Sequence, residues 1–348
     1  MKNKKSTIGL MLLMAGSLVL TNCTKNKTNP APEPDKDMTT TTEAVNTQMI
    51  VSDIQELCGQ VCESNAFLLN DQDATPVTIM QGTNTINSSN ALVNVGSSSY
   101  TLTFNNTVGR DGRVRNGVLV FDYTATPASV PNKFYRIPGF IVDVTSVGYS
   151  VDNYTVAINN MRISNTTPIG FPGTAPYFPS ATNMSWKQTA NVSVMSTDGT
   201  NTLTTTFNGT INKTLLNTNN TSIPMPPGPS ATTYTVFGYS GVNNNFLKLN
   251  LQYTSYSIEG TGTLANGSAY TLATNSPLTR NFVSSPELFV VVGNNLITVQ
   301  RHPFLTGEVS FKPTGKSDRI INFGDAGTVV DYNTKVTIDG ITYSHDIR

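Results

Sequence analysis

The chain has 348 residues, of which 22 are basic and 22 acidic, and its 13% of charged residues is about half the average for globular proteins. Residues 1–22, interpreted below as a leader, hold three lysines and no acid, so the remaining chain has a net charge of −3. A chain with this net charge has no excess of basic residues to bind phosphate groups, which excludes nucleic-acid binding as its function. Thr, Asn, Ser and Gly fill much of the composition, and these residues favour strands and turns.

The N-terminus has the features of a bacterial export signal. Three lysines within the first five residues precede an apolar run, Ile8–Leu20, which is too short to span a bilayer. The run ends in LTNC, Leu20–Cys23, which resembles the lipobox of bacterial lipoproteins. In that class the cysteine thiol is diacylglycerylated and the leader is cut before it. The resemblance implies a signal peptide over residues 1–22 and a lipid on Cys23; the alternative is an ordinary secretory signal with an incidental cysteine.

Residues 23–40 are predicted to be a flexible tether. Three prolines and several charged residues, but no bulky apolar side chain, lie between Cys23 and Asp37, so the segment cannot bury enough apolar surface to order itself. Such a Pro-containing segment is a semi-extended spacer. Each buried CH₂ group of an acyl chain contributes about 0.8 kcal/mol, so several acyl chains on Cys23 would make a stable membrane anchor.

One helix is predicted, within residues 41–66. Thr40–Glu43 has the spacing of a capping box. Apolar residues then recur at spacings of four, three and four, at Ile50, Ile54, Leu57 and Val61. This pattern is one apolar helix stripe, and we expect a helix from about 42 to 64 that packs the stripe on the β-rich part of the chain.

The rest of the chain alternates between strand and turn patterns without further helices. A first β-rich unit is predicted over residues 74–165 and a second over 180–348, because the four prolines of 165–180 interrupt the pattern. Asp339-Gly340 suits a type I′ turn between two strands, and Thr197–Thr200 also signals a hairpin. Short strands in succession predict a mainly β, antiparallel, sandwich-like body of one or two units.

Two segments resemble a family of Bacteroidota lipoproteins of unknown function. They are GRDGRVRNGVLVFDY (Gly109–Tyr123) and RIINFGDAGTVVDYNTKVTIDGITY (Arg319–Tyr343). The chain departs from the family by lacking cysteines at the two turns, Asn106–Val108 and Asp325–Asp331. The resemblance implies a lipoprotein with a β body and no established activity, and we expect the anchor to lie in the outer membrane. In this phylum an acidic cluster after the lipidated cysteine tends to mark surface export, and its absence favours a periplasmic body over a surface-exposed one.

Two glycine-containing stretches resemble nucleotide-binding motifs only in part. Pro313–Ser317 ends like a phosphate-binding loop, but Ser310 stands where that motif needs glycine, and a strand pattern follows. Gly260–Ala265 has a loose dinucleotide-binding spacing, but Asn266-Gly267 follows at once as a turn. Both stretches are interpreted as turns between strands, so we expect no cofactor.

The histidines and remaining cysteines form no catalytic or metal motif. His302 and His345 are interpreted as surface residues, and no G-x-S-x-G sequence frames a serine nucleophile. Cys58 and Cys62 lie in CGQVC, without the second cysteine pair or histidine of a zinc site. Both are interpreted as structural thiols, free or locally bridged, and no metal is expected.

A cluster of charge stands out in this charge-poor chain, at Arg110, Asp111, Arg113 and Arg115. The functional interpretation is an anion-binding or partner-binding loop, and the alternative is a solvated turn whose arginines pair with nearby aspartates. The single tryptophan, Trp186, is interpreted as a residue of the core or of sheet packing, with a sugar-stacking platform as the alternative.

The sequence therefore predicts a membrane-anchored envelope lipoprotein without catalytic activity. Its β body would bind a protein or glycan partner or serve a structural role, and its lipid would bind the membrane. The alternative is a carbohydrate-active accessory or hydrolytic lipoprotein, because the two acids of a glycosidase need not be close in sequence.

Overall fold

The computed structural model describes residues 35–64, 78–81, 84–86, 98–108, 113–130, 138–167, 184–198, 201–216, 253–281, 287–292, 295–300, 304–324 and 333–346. The chain divides into two compact units, Met1–Asp35 and Lys36–Arg348. Almost all of the described residues belong to the second unit, which we refer to as the body. Cys23 and the predicted signal peptide lie outside the described residues.

The described residues of the body form one helix and many strands. The helix, α1, spans Thr39–Ser64. The strands are β1 Thr78–Gln81, β2 Asn84–Ile86, β3 Ser99–Val108, β4 Val114–Asp122, β5 Ile141–Val151, β6 Tyr154–Asn165, β7 Met184–Asp198, β8 Asn201–Leu216, β9 Tyr253–Thr263, β10 Ala269–Asn281, β11 Glu287–Val292, β12 Asn295–Gln300, β13 Phe304–Pro313, β14 Arg319–Phe323, β15 Asn333–Ile338 and β16 Ile341–Asp346. The prediction of a mainly β protein with an N-terminal helix is confirmed.

Fourteen strands form one antiparallel sheet, in the order β16-β15-β14-β13-β10-β9-β8-β7-β6-β5-β4-β3-β1-β2. Strands β11 and β12 pair separately. Most neighbours in the large sheet are consecutive in sequence, as expected where short turns join antiparallel strands. At the β15–β16 turn Asp339 and Gly340 have φ values of 50° and 79°, as a type I′ turn requires, so the predicted hairpin is confirmed.

The sheet continues across the predicted boundary between two β-rich units. Strand β6 precedes the Pro-rich segment and β7 follows it, and the two strands pair directly, with Asn165 opposite Trp186. Two strands can pair whatever the length or composition of the segment that connects them. A long Pro-rich connection therefore does not place β6 and β7 in different sheets. The strands on both sides of residues 165–180 therefore belong to one sheet.

Helix α1 forms the centre of the core. The predicted stripe residues Ile50, Ile54 and Leu57 are buried, but so are Val51 and Ser52 between them. Burial on successive positions means that the helix is covered on nearly all sides, unlike a surface helix with one apolar face. The sheet therefore curves around α1, and the core lies between its inner face and the helix.

The helix begins earlier than the sequence pattern predicted. The Asp37 carboxylate accepts a hydrogen bond from the Thr39 backbone N–H at 3.0 Å and one from the Thr40 hydroxyl at 3.4 Å. This is the action of an N-terminal capping residue. Asp37 thus takes the role expected of Thr40, and the Glu43 side chain instead accepts from the Ala265 backbone N–H.

Candidate functional site

A groove of about 360 Å³ opens beside the N-terminal turns of α1. We call it the α1 groove. It is lined by Met38, Thr39, Thr42, Glu43, Asn46, Thr47, Tyr154, Val194, Ser196, Leu203, Thr205 and Ala265. Its volume lies within the range of about 300–1,000 Å³ typical of small-molecule sites.

The periodicities of helix and strand explain why these residues meet. Residues 39, 42, 43, 46 and 47 recur every three or four positions and therefore share one face of α1. Val194 and Ser196 of β7 alternate with residues of the other face, as do Leu203 and Thr205 of β8. Because β7 and β8 are paired neighbours, these four side chains form one wall of the groove opposite the helix.

Hydrogen bonds fix the groove walls to one another. The Asn46 side-chain amide donates to the Tyr154 hydroxyl at 3.1 Å, and the Glu43 carboxylate accepts from the Ala265 N–H at 3.3 Å. The Thr47 hydroxyl donates to the Glu43 carbonyl at 2.8 Å. Among the described residues that line the groove, Glu43 is the only charged one, so these residues form a polar, nearly neutral surface with apolar patches.

Further along α1, a second cluster of polar groups is buried between the helix and the sheet. It comprises Glu56 of α1, Lys213 of β8, Tyr256 of β9 and Arg280 of β10, and we call it the buried charge cluster. Glu56 Oε2 lies 2.8 Å from Lys213 Nζ, and the Tyr256 hydroxyl donates to Glu56 Oε1. The Arg280 guanidinium stacks over the Phe304 ring, 4.2 Å from its centroid.

The cluster has the electrostatics of a structural ion network. Burial alone would raise the pKa of the Glu56 carboxyl, but the charges of Lys213 and Arg280 hold it below its ordinary value. Burial and the adjacent Glu56 carboxylate raise the pKa of the Tyr256 hydroxyl to about 12. Shifted pKa values mark functional sites when the groups lie in a cleft. Here Lys213, Tyr256 and Arg280 are all buried, and none of them lines the α1 groove. We therefore interpret the cluster as a structural contact that joins α1 to three strands.

The arginine-rich segment is only partly within the described residues. Arg110 and Asp111 lie outside them. Arg113 Nε is 4.0 Å from Asp152 Oδ2, at the distance limit of an ion pair. Arg115 is only 2% exposed, and its Nη2 lies 2.8 Å from Asp53 Oδ2 of α1. The Arg115 guanidinium therefore faces the helix, and an anion-binding or partner-binding loop at these four residues stays a prediction.

The other sequence-based assignments can be compared with their positions in the fold. Trp186 is 2% exposed in β7, so its interpretation as a core residue is confirmed. Residues 313–317 form the turn between β13 and β14, with Gly315 at φ +77°, as interpreted. Cys58 is buried on α1. His302 and the side chains of His345 and Cys62 lie outside the described residues.

Sequence reasoning missed the α1 groove. The helix pattern that forms one of its walls, T39-x-x-T-E-x-x-N-T47, is visible in the sequence, but Thr and Asn at helical spacing are equally typical of a solvated helix face. The opposite wall comes from residues more than 140 positions away. Only the pairing of β7 with β8 and the curvature of the sheet bring the two walls together.

Comparisons with known proteins add no assignment: no family model, curated protein or solved structure matches the chain. Within the described ranges, no group of three or more His, Cys, Asp or Glu residues is placed to hold a metal ion. Among the same residues, no helix combines the length and apolarity that a membrane span requires.

Proposed function

We propose that the chain is a lipid-anchored envelope lipoprotein whose body binds a ligand in the α1 groove without transforming it. The lipid would be carried on Cys23, at the outer membrane, with the body in the periplasm. The membrane-bound end and the binding end would then be joined by the part of the predicted tether that precedes Asp37, because Asp37 caps α1 and the helix begins at Thr39. The β-rich body supplies a scaffold, and the helix and strand side chains described above supply the recognition surface.

The observation that carries the binding proposal is the chemistry of the groove lining. Hydroxyl and amide groups alternate there with Met38, Val194 and Leu203, a mixture that orients a ligand and excludes water around it. A hydrogen bond between Asn46 and Tyr154 joins two walls of the groove. Further along α1, the buried charge cluster fixes the helix to the sheet. Fixed walls reduce the ordering that binding would otherwise require.

The same lining favours binding over hydrolysis. A glycosidase of the common type needs two carboxyl groups about 5–9.5 Å apart. Within the described part of the chain, Glu43 is the only carboxyl group that lines the groove, and one of its oxygens already accepts the Ala265 N–H. The hydrolytic alternative would require a second acid from elsewhere in the chain.

The anchor is tested by replacing the lipidated residue. Cells that express the full chain are supplied with an alkyne-labelled fatty acid, and the label on the purified protein is measured. We expect the wild-type protein to be labelled and Cys23→Ala to lose the label completely, because only a thiol forms the thioether. Cys62→Ala serves as the matched control and should keep the label. Equal labelling of Cys23→Ala and wild type would contradict the proposal, as would an unlabelled wild type.

A further inference from the structure

We infer that the α1 groove takes a neutral saccharide, one or two sugar rings in size. This inference rests on the proposed binding function and specifies the chemical class of the ligand. The charge of the lining, the hydroxyl groups that face the groove and the apolar patches support it independently.

The charges around the groove disfavour an anion. A helix N-terminus normally attracts negative charge through its exposed N–H groups. At α1, however, the Asp37 carboxylate already occupies this position and forms an ion pair with Lys316. The one charged side chain that lines the groove, Glu43, is itself acidic. A phosphate or carboxylate ligand would therefore meet the Glu43 carboxylate and no cation among the described residues that line the groove.

Hydroxyl groups in the wall favour a ligand that can hydrogen-bond. Thr205 is only 5% exposed and lines the groove, and within the described part of the chain no hydrogen bond is formed by its hydroxyl. The Thr205 oxygen keeps contact with solvent, so a ligand hydroxyl in the groove can replace water as its hydrogen-bond partner. Ser196 lies on the neighbouring strand β7 and also faces the groove.

The apolar patches complete the match to a sugar. Each sugar ring has C–H faces that pack on apolar and aromatic side chains, and hydroxyl groups at its edge that need hydrogen-bond partners. Val194, Leu203 and Tyr154 offer the first kind of contact. Ser196, Thr205 and the Glu43 carboxylate offer the second. A lipid tail would leave these polar groups unpaired, and a peptide strand would need an exposed run of backbone groups.

The ligand class is tested with the full-length lipoprotein in a sugar-free detergent. Saturation-transfer NMR titrations use maltose, cellobiose and N,N′-diacetylchitobiose, with inorganic phosphate and trilysine as charged comparison probes. We expect at least one disaccharide to bind and neither charged probe to bind. Thr205→Val, which removes the hydroxyl at almost constant volume, should weaken the disaccharide about fivefold or more. Thr204→Val, on the exposed face of the same strand, should change affinity less than about twofold.

The outcomes separate this inference from the proposed function. Binding of phosphate or trilysine, weakened by Thr205→Val, with no disaccharide bound would overturn the saccharide inference and leave the binding function standing. Hydrolysis of a bound disaccharide would overturn the proposed function instead. Equal affinities of Thr205→Val and Thr204→Val for a disaccharide would show that the sugar binds elsewhere and would also overturn the inference.

Discussion

Glu56→Gln is expected to lower the free energy of unfolding by about 3–5 kcal/mol, the range for removing one partner of a buried ion pair. The variant keeps the shape of the side chain but removes the carboxylate charge beside the buried Lys213 and Arg280. The desolvation of these two cations then loses the compensation that Glu56 provides. Urea unfolding of the full-length protein, followed through the single tryptophan, Trp186, measures the change.

Two further variants make the result specific to the buried charge cluster. Asp143→Asn removes an ion pair of equally good geometry. In that pair, Arg162 Nε and Nη2 each lie 2.7 Å from one oxygen of the Asp143 carboxylate. This pair is exposed, at 50% for Arg162 and 39% for Asp143, so we expect a loss of about 1 kcal/mol or less. Adding Lys213→Met to Glu56→Gln should restore part of the lost stability. Equal losses for Glu56→Gln and Asp143→Asn would contradict the assignment.

Gly117→Ala is expected to destabilise the body by about 3 kcal/mol or more, among the larger effects of single substitutions. Gly117 has a φ of +86°, and an added Cβ atom would overlap the Gly148 carbonyl and lie 2.7 Å from the Tyr149 backbone nitrogen. The overlap occurs at an irregularity in the pairing of β4 with β5, between Asn116 and Val118. Neither strand can move away without breaking its other pairings, so the strain is retained.

Gly148→Ala is the matched control for this substitution. Gly148 also has a positive φ, +56°, but an added Cβ would meet no atom within 4 Å. Its loss of stability should therefore be limited to the left-handed backbone penalty of about 1–2 kcal/mol. The difference between the two alanine variants, measured by the same urea titration, isolates the backbone overlap. A smaller loss for Gly117→Ala than for Gly148→Ala would be inconsistent with the β4–β5 geometry.

Local patterns predicted the elements of this fold well. The apolar stripe at Ile50, Ile54 and Leu57 predicted α1 because helical periodicity depends only on neighbours in sequence. The Asp339-Gly340 turn was predictable for a similar reason, since few residue pairs adopt positive φ at both positions. Likewise, Asn266-Gly267 marked the turn between β9 and β10, where Gly267 has a φ of +84°.

Long-range packing was not predictable in the same way. The buried positions Gln48, Ser52 and Gln55 are polar, so the sequence suggested a helix with one solvated face, although the sheet covers that face as well. The sequence marked Arg115 as an unusual charge but could not identify its partner, because Asp53 lies 62 positions earlier in the chain. The Thr205 wall of the groove depends on sheet curvature, which no local pattern specifies.

Hydrogen–deuterium exchange is the most direct test of the claim that the α1 groove is the binding site of this protein. The full-length protein is compared with and without a disaccharide from the titrations, at a concentration near the Kd of the wild type. We predict slower exchange in peptides covering residues 38–47 and 194–205, and clearly weaker slowing there in Thr205→Val at the same disaccharide concentration. Slowing confined to residues 109–115, the arginine-rich segment, or no slowing at 38–47 and 194–205 would contradict the account.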